Sequence, residues 1–378
     1  MSQRTSTLHE AVAEHKAGHL ASAEAAYRRL LERRPEDPDA LNFLGMLRCQ
    51  AGDATEAEGL LQRSVQAEPS NPHAWLNLGN VLVVLGRQEQ ARTAFTQATE
   101  LAPDLAVAWF NLGVCLGRCK QPLEAASALH RALKIEPGHL AAYESLGLVL
   151  HRLGNYAEAA QVYREWLAHE PDNPMARHML AATSGAGAPP RAADEYVRRL
   201  FDDFAASFDE NLASLGYRAP EHVARRLERE AAAHAPLDVL DAGCGTGLCA
   251  PLLRPLARSL VGVDLSAGML EKARTRGGYD ELVTAELCEF MRSRPAAFDA
   301  VVSADTLVYF GALEEPLLAA RTCLRQGGRV VFTVERLAPE CGSDEDVSSY
   351  RLETHGRYSH SETYVRSVLE QAGFDVAT

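Results

Sequence analysis

Apolar positions in the first 173 residues recur every 34 residues. Read from Trp75, the set is Leu78, Gly79, Leu82, Gly86, Ala91, Phe95, Ala98 and Pro103. It returns as Trp109, Leu112, Gly113, Leu116, Lys120, Ala125, Leu129, Ala132 and Pro137, and again from Tyr143 to Pro171. Earlier units show Leu41, Leu44, Gly45, Gly52, Ala57, Leu61 and Pro69, and more weakly Ala11, Gly18, Ala23, Tyr27 and Pro35. Two helices per unit are predicted, closing where small residues face each other, with the large residues filling the gaps between units. Each second helix ends at a proline, which cannot continue the hydrogen-bond ladder. After Pro171 the period is lost, and residues 174–193, rich in Ala, Gly and Pro, read as a linker. Tyr196, Leu200, Phe201, Phe204 and Phe208 then follow helical spacing, so 194–223 reads as an amphipathic helix. From 237 the pattern alternates strand with helix: LDVLDAG and GLCAPLLRPL, SLVGVDL and AGMLEKART, then LVTAEL, FDAVVSADTLVY, GALEEPLLAARTCL, GGRVVFTVE, SETYVRSVLEQAG and FDVAT. Such alternation predicts a parallel sheet with helices on both faces, and ligands beyond the carboxyl ends of its strands.

The 34-residue period with these residue classes resembles the tetratricopeptide repeat. The resemblance implies an all-α solenoid over residues 1–173 and a groove that takes a protein or peptide partner. Asn77 and Asn111 occupy equivalent positions of successive units; in some arrays of this kind asparagines there hold peptide backbone. The matching positions in the flanking units are Phe43 and Ser145.

In LDVLDAGCGTGLCAPLLRP an apolar run ends in Asp241, and Gly243, Gly245 and Gly247 follow at alternate positions. A dinucleotide fingerprint needs its third small residue at 248, which is Leu248, so the nicotinamide reading is weakened. The run DAGCGTG resembles the loop of class I S-adenosylmethionine methyltransferases. That resemblance implies a Rossmann-like doubly wound domain over 194–378 with S-adenosyl-L-methionine as cofactor. The glycines let backbone run against the ligand where a Cβ would clash. Acids beside a cationic ligand are favourable, which suits Asp241. Asp264, 21 residues after Gly243, ends the second predicted strand, where a carboxylate can accept from ribose hydroxyls; Ser266 competes for the helix N-cap. By resemblance the cofactor set is Asp241, Gly243, Cys244, Gly245, Gly247, Asp264, Leu265, Met269 on the adenine, Glu286 on its amino group, and Asp305 facing the transfer site. The phrases FDDFAASFD and GYRAP resemble the cap before many small-molecule methyltransferase domains, with Phe208 and Tyr217 as lid residues. GYRAP also resembles an animal methyltransferase-like family. Taken whole, the chain resembles the bacterial class of predicted methyltransferases containing tetratricopeptide repeats.

The net charge of −13 argues against a general nucleic-acid backbone binder. No apolar signal segment or spanning window is seen, so no membrane role and a cytoplasmic location are expected. The eight cysteines lack zinc spacing, and His15 with His19 has no third ligand, so no metal is expected. For the chemistry, His355 and His360 are candidate bases because histidine titrates near neutrality. Tyr309 joins them as a catalytic candidate, and with Arg357 is placed to orient an acceptor carboxylate or carbonyl. The family's sheet has seven strands, whereas FDVAT would only begin the sixth, so the expectation is a chain short of its C-terminal strand. The expected activity is in-line methyl transfer to a protein, peptide or carrier-bound acceptor recruited by the repeats. The alternatives are a free small-molecule acceptor with the repeats used for assembly, and a non-catalytic scaffold.

Overall fold

The computed structural model describes residues 2–231, 236–337 and 350–376. The chain divides into two compact units, Met1–Pro171 and Asp172–Thr378.

In the first unit, the described residues form five helix pairs. They are α1 Ser2–Lys16 with α2 Leu20–Arg33, α3 Pro38–Gln50 with α4 Ala54–Ala67, α5 Pro72–Val84 with α6 Gln88–Leu101, α7 Ala106–Arg118 with α8 Pro122–Ile135, and α9 Leu140–Arg152 with α10 Tyr156–His169. One contact recurs at the 34-residue period. A Cβ added to Gly45 would lie 2.7 Å from Leu61, and one added to Gly113 would lie 2.7 Å from Leu129. Gly79 would meet Phe95 and Gly147 would meet Tyr163 in the same way. The first helix thus lacks a side chain where the second presents a bulky one. Phe95 therefore fills space inside its own unit rather than between units. Trp75 and Trp109 use their indoles differently, donating to the carbonyls of Pro69 (2.9 Å) and Pro103 (3.0 Å) and so holding the turn before their own helices.

The turn between paired helices is left-handed at Gly18, Gly52, Gly86 and Gly154, and Lys120 takes the same conformation at φ 60°. An L side chain there costs about 1 kcal/mol relative to glycine. Lys120→Gly is expected to stabilise the full chain by roughly 1 kcal/mol in denaturant unfolding; an unchanged or lower midpoint would show that Lys120 makes compensating contacts.

The second unit opens with α11 Pro174–Ser184. The segment expected as a linker is structured because Ala181 and Ala182 pack against Leu352 and Tyr358. The amphipathic stretch after it is three helices, not one: α12 Asp194–Phe204, α13 Phe208–Ser214 and α14 Ala219–Ala231. Gly216 at φ 64° ends the second, and Pro220 suits the first turn of the third. Then come β1 Leu237–Ala242, α15 Ala250–Leu253, β2 Ala257–Asp264, α16 Ala267–Arg276, β3 Glu281–Thr284, α17 Leu287–Ser293, β4 Phe298–Ser303, α18 Glu314–Cys323 and β5 Leu324–Phe332. These strands pair parallel in the order β3-β2-β1-β4-β5. The order reverses between β1 and β4, which makes their carboxyl ends the switch point. The apolar run of β1 is buried on both faces, with Val239 packed among Leu227, Leu253 and Leu260.

A second sheet that the alternation did not anticipate joins β6 Glu335–Arg336, β8 Tyr358–His360 and β7 Tyr350–Leu352, followed by α19 Glu362–Gln371. The expected strand at FDVAT is not formed at 374–376, and its last two residues lie outside the described set. Among the described residues no helix is long and apolar enough to cross a membrane, and no group of three His, Cys, Asp or Glu could hold a metal ion.

Candidate functional site

A cleft of about 1070 Å³, including its open mouth, lies at the carboxyl ends of β1, β2 and β4. The floor is the turn after β1. Gly243 and Cys244 both donate to the carbonyl of Val263, at 2.9 and 3.0 Å, tying the turn to β2. Gly243 has φ 78°, and a Cβ there would overlap the side chain of Thr306 at the end of β4. Gly245 differs: an added Cβ would meet only open space, and the residue lines the cleft. A methyl group there would occupy ligand volume. The helix after the turn is one turn long, so its dipole contributes little and the turn's exposed backbone is the main feature.

Asp264 ends β2 and lines the cleft. Its Oδ2 accepts from Gly245 N and its Oδ1 from Ser266 N, both at 2.9 Å. Burial pushes its pKa up while these backbone donors hold it down. Ser266 takes the N-cap of α16, accepting from Met269 N at 3.0 Å, so Asp264 is not needed there. Backbone donors from Gly245, Leu265 and Ser266 thus fix the carboxylate in the cleft wall, and a carboxylate has about four acceptor sites in all.

Asp241 lies under the turn and is fully buried. Its Oδ2 accepts from Tyr279 Oη at 2.6 Å, whereas Oδ1 has no partner. Burial, with Asp264 nearby, raises its pKa to about 7 although the Tyr279 hydroxyl opposes this. Asp241 does not line the cleft, so any influence on a ligand passes through the glycine turn or a bridging water.

Cys244 and Leu265 line the cleft. Met269 does not: it is fully buried beneath α16, and Leu265 is the apolar group that faces the ligand space. The reason is helical phase, since a residue three positions into α16 points inward to the sheet. Glu286 lines the cleft, but its oxygens are engaged, one accepting from Glu289 N at 2.7 Å as the N-cap of α17 and the other paired with Arg191 at 3.0 Å. Asp305 lines the cleft at φ 56°, a conformation costly for a residue with a Cβ. Thr333 holds it, accepting from Asp305 N at 2.8 Å and donating to its Oδ1 at 2.9 Å. Asp305 is therefore not a helix cap.

The two histidines are placed elsewhere. His360 is buried with Nε2 against the carbonyls of Phe310 (2.9 Å) and Gly311 (3.1 Å), and burial lowers its pKa. It braces the small sheet. His355 is exposed and pairs with Glu335 at 3.0 Å. Neither lines the cleft, so the expectation of a histidine base there is corrected. Tyr309 and Arg357 do line it, hydrogen-bonded to each other, and burial raises the Tyr309 phenol.

Phe208 and Tyr217 also line the cleft, joined by Phe201, which meets Tyr309 edge-on at 5.4 Å. Two cap aspartates anchor this cover. Asp202 accepts from Ser266 Oγ and from Gly268 N (3.2 Å), and Asp209 accepts from Thr246 Oγ1 (2.6 Å) and pairs with Arg276. Sequence reasoning gave these acids no role, and their spacing carried no signal because Asp202 and Asp209 sit on separate helices, α12 and α13. Tyr279 and Thr306 carried none.

In the repeat unit, Asn77 donates to Asn42 Oδ1 (2.9 Å) and Asn111 to Asn80 Oδ1 (2.8 Å). The asparagines thus pair between successive first helices. Asn80, Phe110, Asn111, Cys115 and Arg118 line a shallow depression on that face.

Residues 215–378 match the family described as methyltransferase domain, and 9–72, 48–112 and 121–174 match tetratricopeptide repeat families. Methyltransferase-like protein 27 of Homo sapiens is 40% identical over 107 residues, 27% of this chain and 43% of that protein. The malonyl-[acyl-carrier protein] O-methyltransferase of Geobacter sulfurreducens is 31% identical over 191 residues, 47% of this chain and 69% of that protein. The chain thus spans less than half the length of the human relative. Among solved structures, MamA aligns with a TM-score of 0.41 at 24% identity over 43% of this chain and 94% of that one.

Proposed function

The chain belongs to the methyltransferase family, with tetratricopeptide repeats ahead of that domain, and we propose that it is an S-adenosyl-L-methionine-dependent methyltransferase whose repeats recruit a protein, peptide or carrier-bound acceptor. The observation that carries the cofactor reading is Asp264, held by Gly245 N and Ser266 N at the tip of β2 in the wall of the cleft. The residues fit the group in three further respects. The open side of Gly245 leaves backbone bare for close approach. The orphan Oδ1 of Asp241 leaves an unpaired polar atom under the turn. Leu265 presents an apolar surface for a flat base.

When bound, S-adenosyl-L-methionine supplies an electrophilic methyl carbon on a sulfonium. Asp264 would hold its ribose, and the Gly243–Gly247 turn would carry its amino-acid end. Phe201, Phe208, Tyr217 and Tyr309 exclude water from the cleft, and the chain's contribution to rate is alignment of acceptor and methyl at near-attack distance. The recruitment reading is supported by the asparagine row and depression of the repeat face. The printed name of the Geobacter relative places its acceptor on a carrier protein, in keeping with a tethered acceptor here.

Calorimetric titration of S-adenosylhomocysteine into the full chain tests the cofactor reading. Micromolar binding is expected, weakened about 100-fold, or about 3 kcal/mol, by Asp264→Ala. No binding to the unsubstituted chain would overturn the reading.

A further inference from the structure

The cleft holds two guanidinium groups whose surroundings differ. Arg191 is ion-paired to Asp194 and to Glu286 and lies over the ring of Phe310 at 5.0 Å. Two carboxylates thus offset its charge. Arg357 lines the same cleft, is exposed, and has Tyr309 as its hydrogen-bond partner. Asp305 and Glu335 act on it electrostatically, but no carboxylate of a described residue comes within ion-pair distance. A guanidinium carries five N–H donors in a fork that matches a carboxylate.

The backbone around Arg357 is built to hold it. Glu353 N donates to the Arg357 carbonyl at 2.8 Å, closing the turn between β7 and β8. His178 on α11 donates from Nε2 to the carbonyl of Gly356 at 2.8 Å, and its ring stacks on Tyr196 at 4.1 Å. Tyr358 Oη donates to Pro189 O at 2.7 Å. Three separate segments thus aim one cation at the cleft.

The second observation is what the lining lacks. No histidine or lysine is among the described lining residues. Tyr217, Tyr309, Cys244 and Cys249 are all pushed up by burial and stay protonated near neutrality. Asp194 and Glu286 are committed to Arg191, Asp264 to backbone donors, and Asp305 Oδ1 to the Thr333 hydroxyl, which leaves Asp305 as the one lining carboxylate that the test must separate from the subsite. An acceptor that must lose a proton needs a base; an ionised carboxylate does not.

We propose that Arg357 and Tyr309 form an anion subsite at the acceptor end of the cleft, and that the group methylated is a carboxylate, giving a methyl ester. The proposal rests on the S-adenosyl-L-methionine reading above. A carboxylate oxygen forms a C–O bond to the methyl carbon as the C–S bond breaks. The bonding pair stays on sulfur, leaving the neutral thioether S-adenosylhomocysteine, and no proton moves. Arg357 determines specificity by binding the second carboxylate oxygen, and Tyr309 holds the fork in place.

The test uses the full chain saturated with S-adenosylhomocysteine and titrated with pantetheine half-thioesters of malonic, succinic and glutaric acid, against acetyl- and butyryl-pantetheine. At least one carboxylated probe is expected to bind at least 50-fold more tightly than the neutral ones. Arg357→Gln is expected to lose at least 30-fold of that affinity, with Arg357→Lys intermediate, since a point charge replaces the fork. S-adenosylhomocysteine affinity should stay within twofold in both variants. With methyl-labelled S-adenosyl-L-methionine, the label should be released as methanol by alkali, and Arg357→Gln should raise KM more than it lowers kcat. Equal binding of charged and neutral probes, or Arg357 variants indistinguishable from the parent, would overturn the subsite. So would alkali-stable methyl transfer to an amine or alcohol probe that is lost in Asp305→Asn, since Asp305 would then be acting as a base. Absence of S-adenosylhomocysteine binding in the parent chain would instead bring down the cofactor reading.

Discussion

Gly243→Ala is expected to weaken S-adenosylhomocysteine binding by at least about 100-fold and to lower the unfolding midpoint of the full chain. Two penalties coincide at this position. The backbone is left-handed at φ 78°, which costs an alanine about 1 kcal/mol. The new Cβ would also overlap Oγ1, Cγ2 and Cβ of Thr306, a crowding that costs about 1–3 kcal/mol. Thr306 cannot simply rotate away, because its Oγ1 donates to the Gly243 carbonyl at 3.2 Å and ties the end of β4 to the turn. The turn must therefore shift, and with it Gly245 N, which orients Asp264. Adding Thr306→Gly relieves the overlap but leaves the conformational penalty, so the double variant should recover part of the affinity. Calorimetry on the three proteins decides this. Binding within threefold of the parent in Gly243→Ala would show that the ligand does not use this turn.

The stability of the chain should carry a pH dependence that Asp241→Asn removes. Asp241 is fully buried, and its pKa of about 7 exceeds the model-peptide value of 3.8. Below pH 4 both folded and unfolded forms hold the proton, and Asp241 contributes no slope. Between about 4 and 7 the folded chain keeps a proton that the unfolded chain has released, so stability falls as pH rises. Above 7 the loss levels off. At about 1.4 kcal/mol per pH unit over roughly three units, the limit is about 4 kcal/mol. Tyr279, Asp264, Cys244, Cys249 and Tyr217 are the titratable groups that act on it, and none carries a compensating positive charge. An asparagine accepts the Tyr279 hydroxyl but places an unpaired donor at the orphan Oδ1 position, costing about 1–2 kcal/mol at pH 4. The difference in unfolding free energy between the two proteins, followed from pH 4 to 8, should therefore change sign. A constant difference would mean that Asp241 titrates as in a solvated peptide.

Much of this chain is readable as pattern. The 34-residue period located the helix pairs, and the structure shows its physical basis: Gly45, Gly79, Gly113 and Gly147 each seat a bulky residue sixteen positions later. The alternation from 237 onward predicted the parallel sheet, and Gly243, Cys244 and Gly245 line one cleft with Asp264, while Asp241 and Gly247 do not. These features are legible because they are local. A left-handed turn selects glycine, a buried parallel strand selects an apolar run, and a strand tip followed by an N-cap selects Ser266 and frees Asp264.

What the tertiary structure alone decided concerns groups far apart in the chain. His355 and His360 have the right chemistry for a base, yet one faces solvent and the other braces two carbonyls fifty residues earlier. Leu265 precedes α16 and Met269 lies within it, and only the packing of α16 on the sheet settled which meets the ligand space. The composition of 174–193 suggested a linker, but its helix stacks on a hairpin 170 residues away and aims Arg357 into the cleft. Sequence by itself determined the two architectures and the glycine turn after β1, because local sterics and periodicity encode them. Which charged group stands at the acceptor end depended on long-range packing, which no local pattern records.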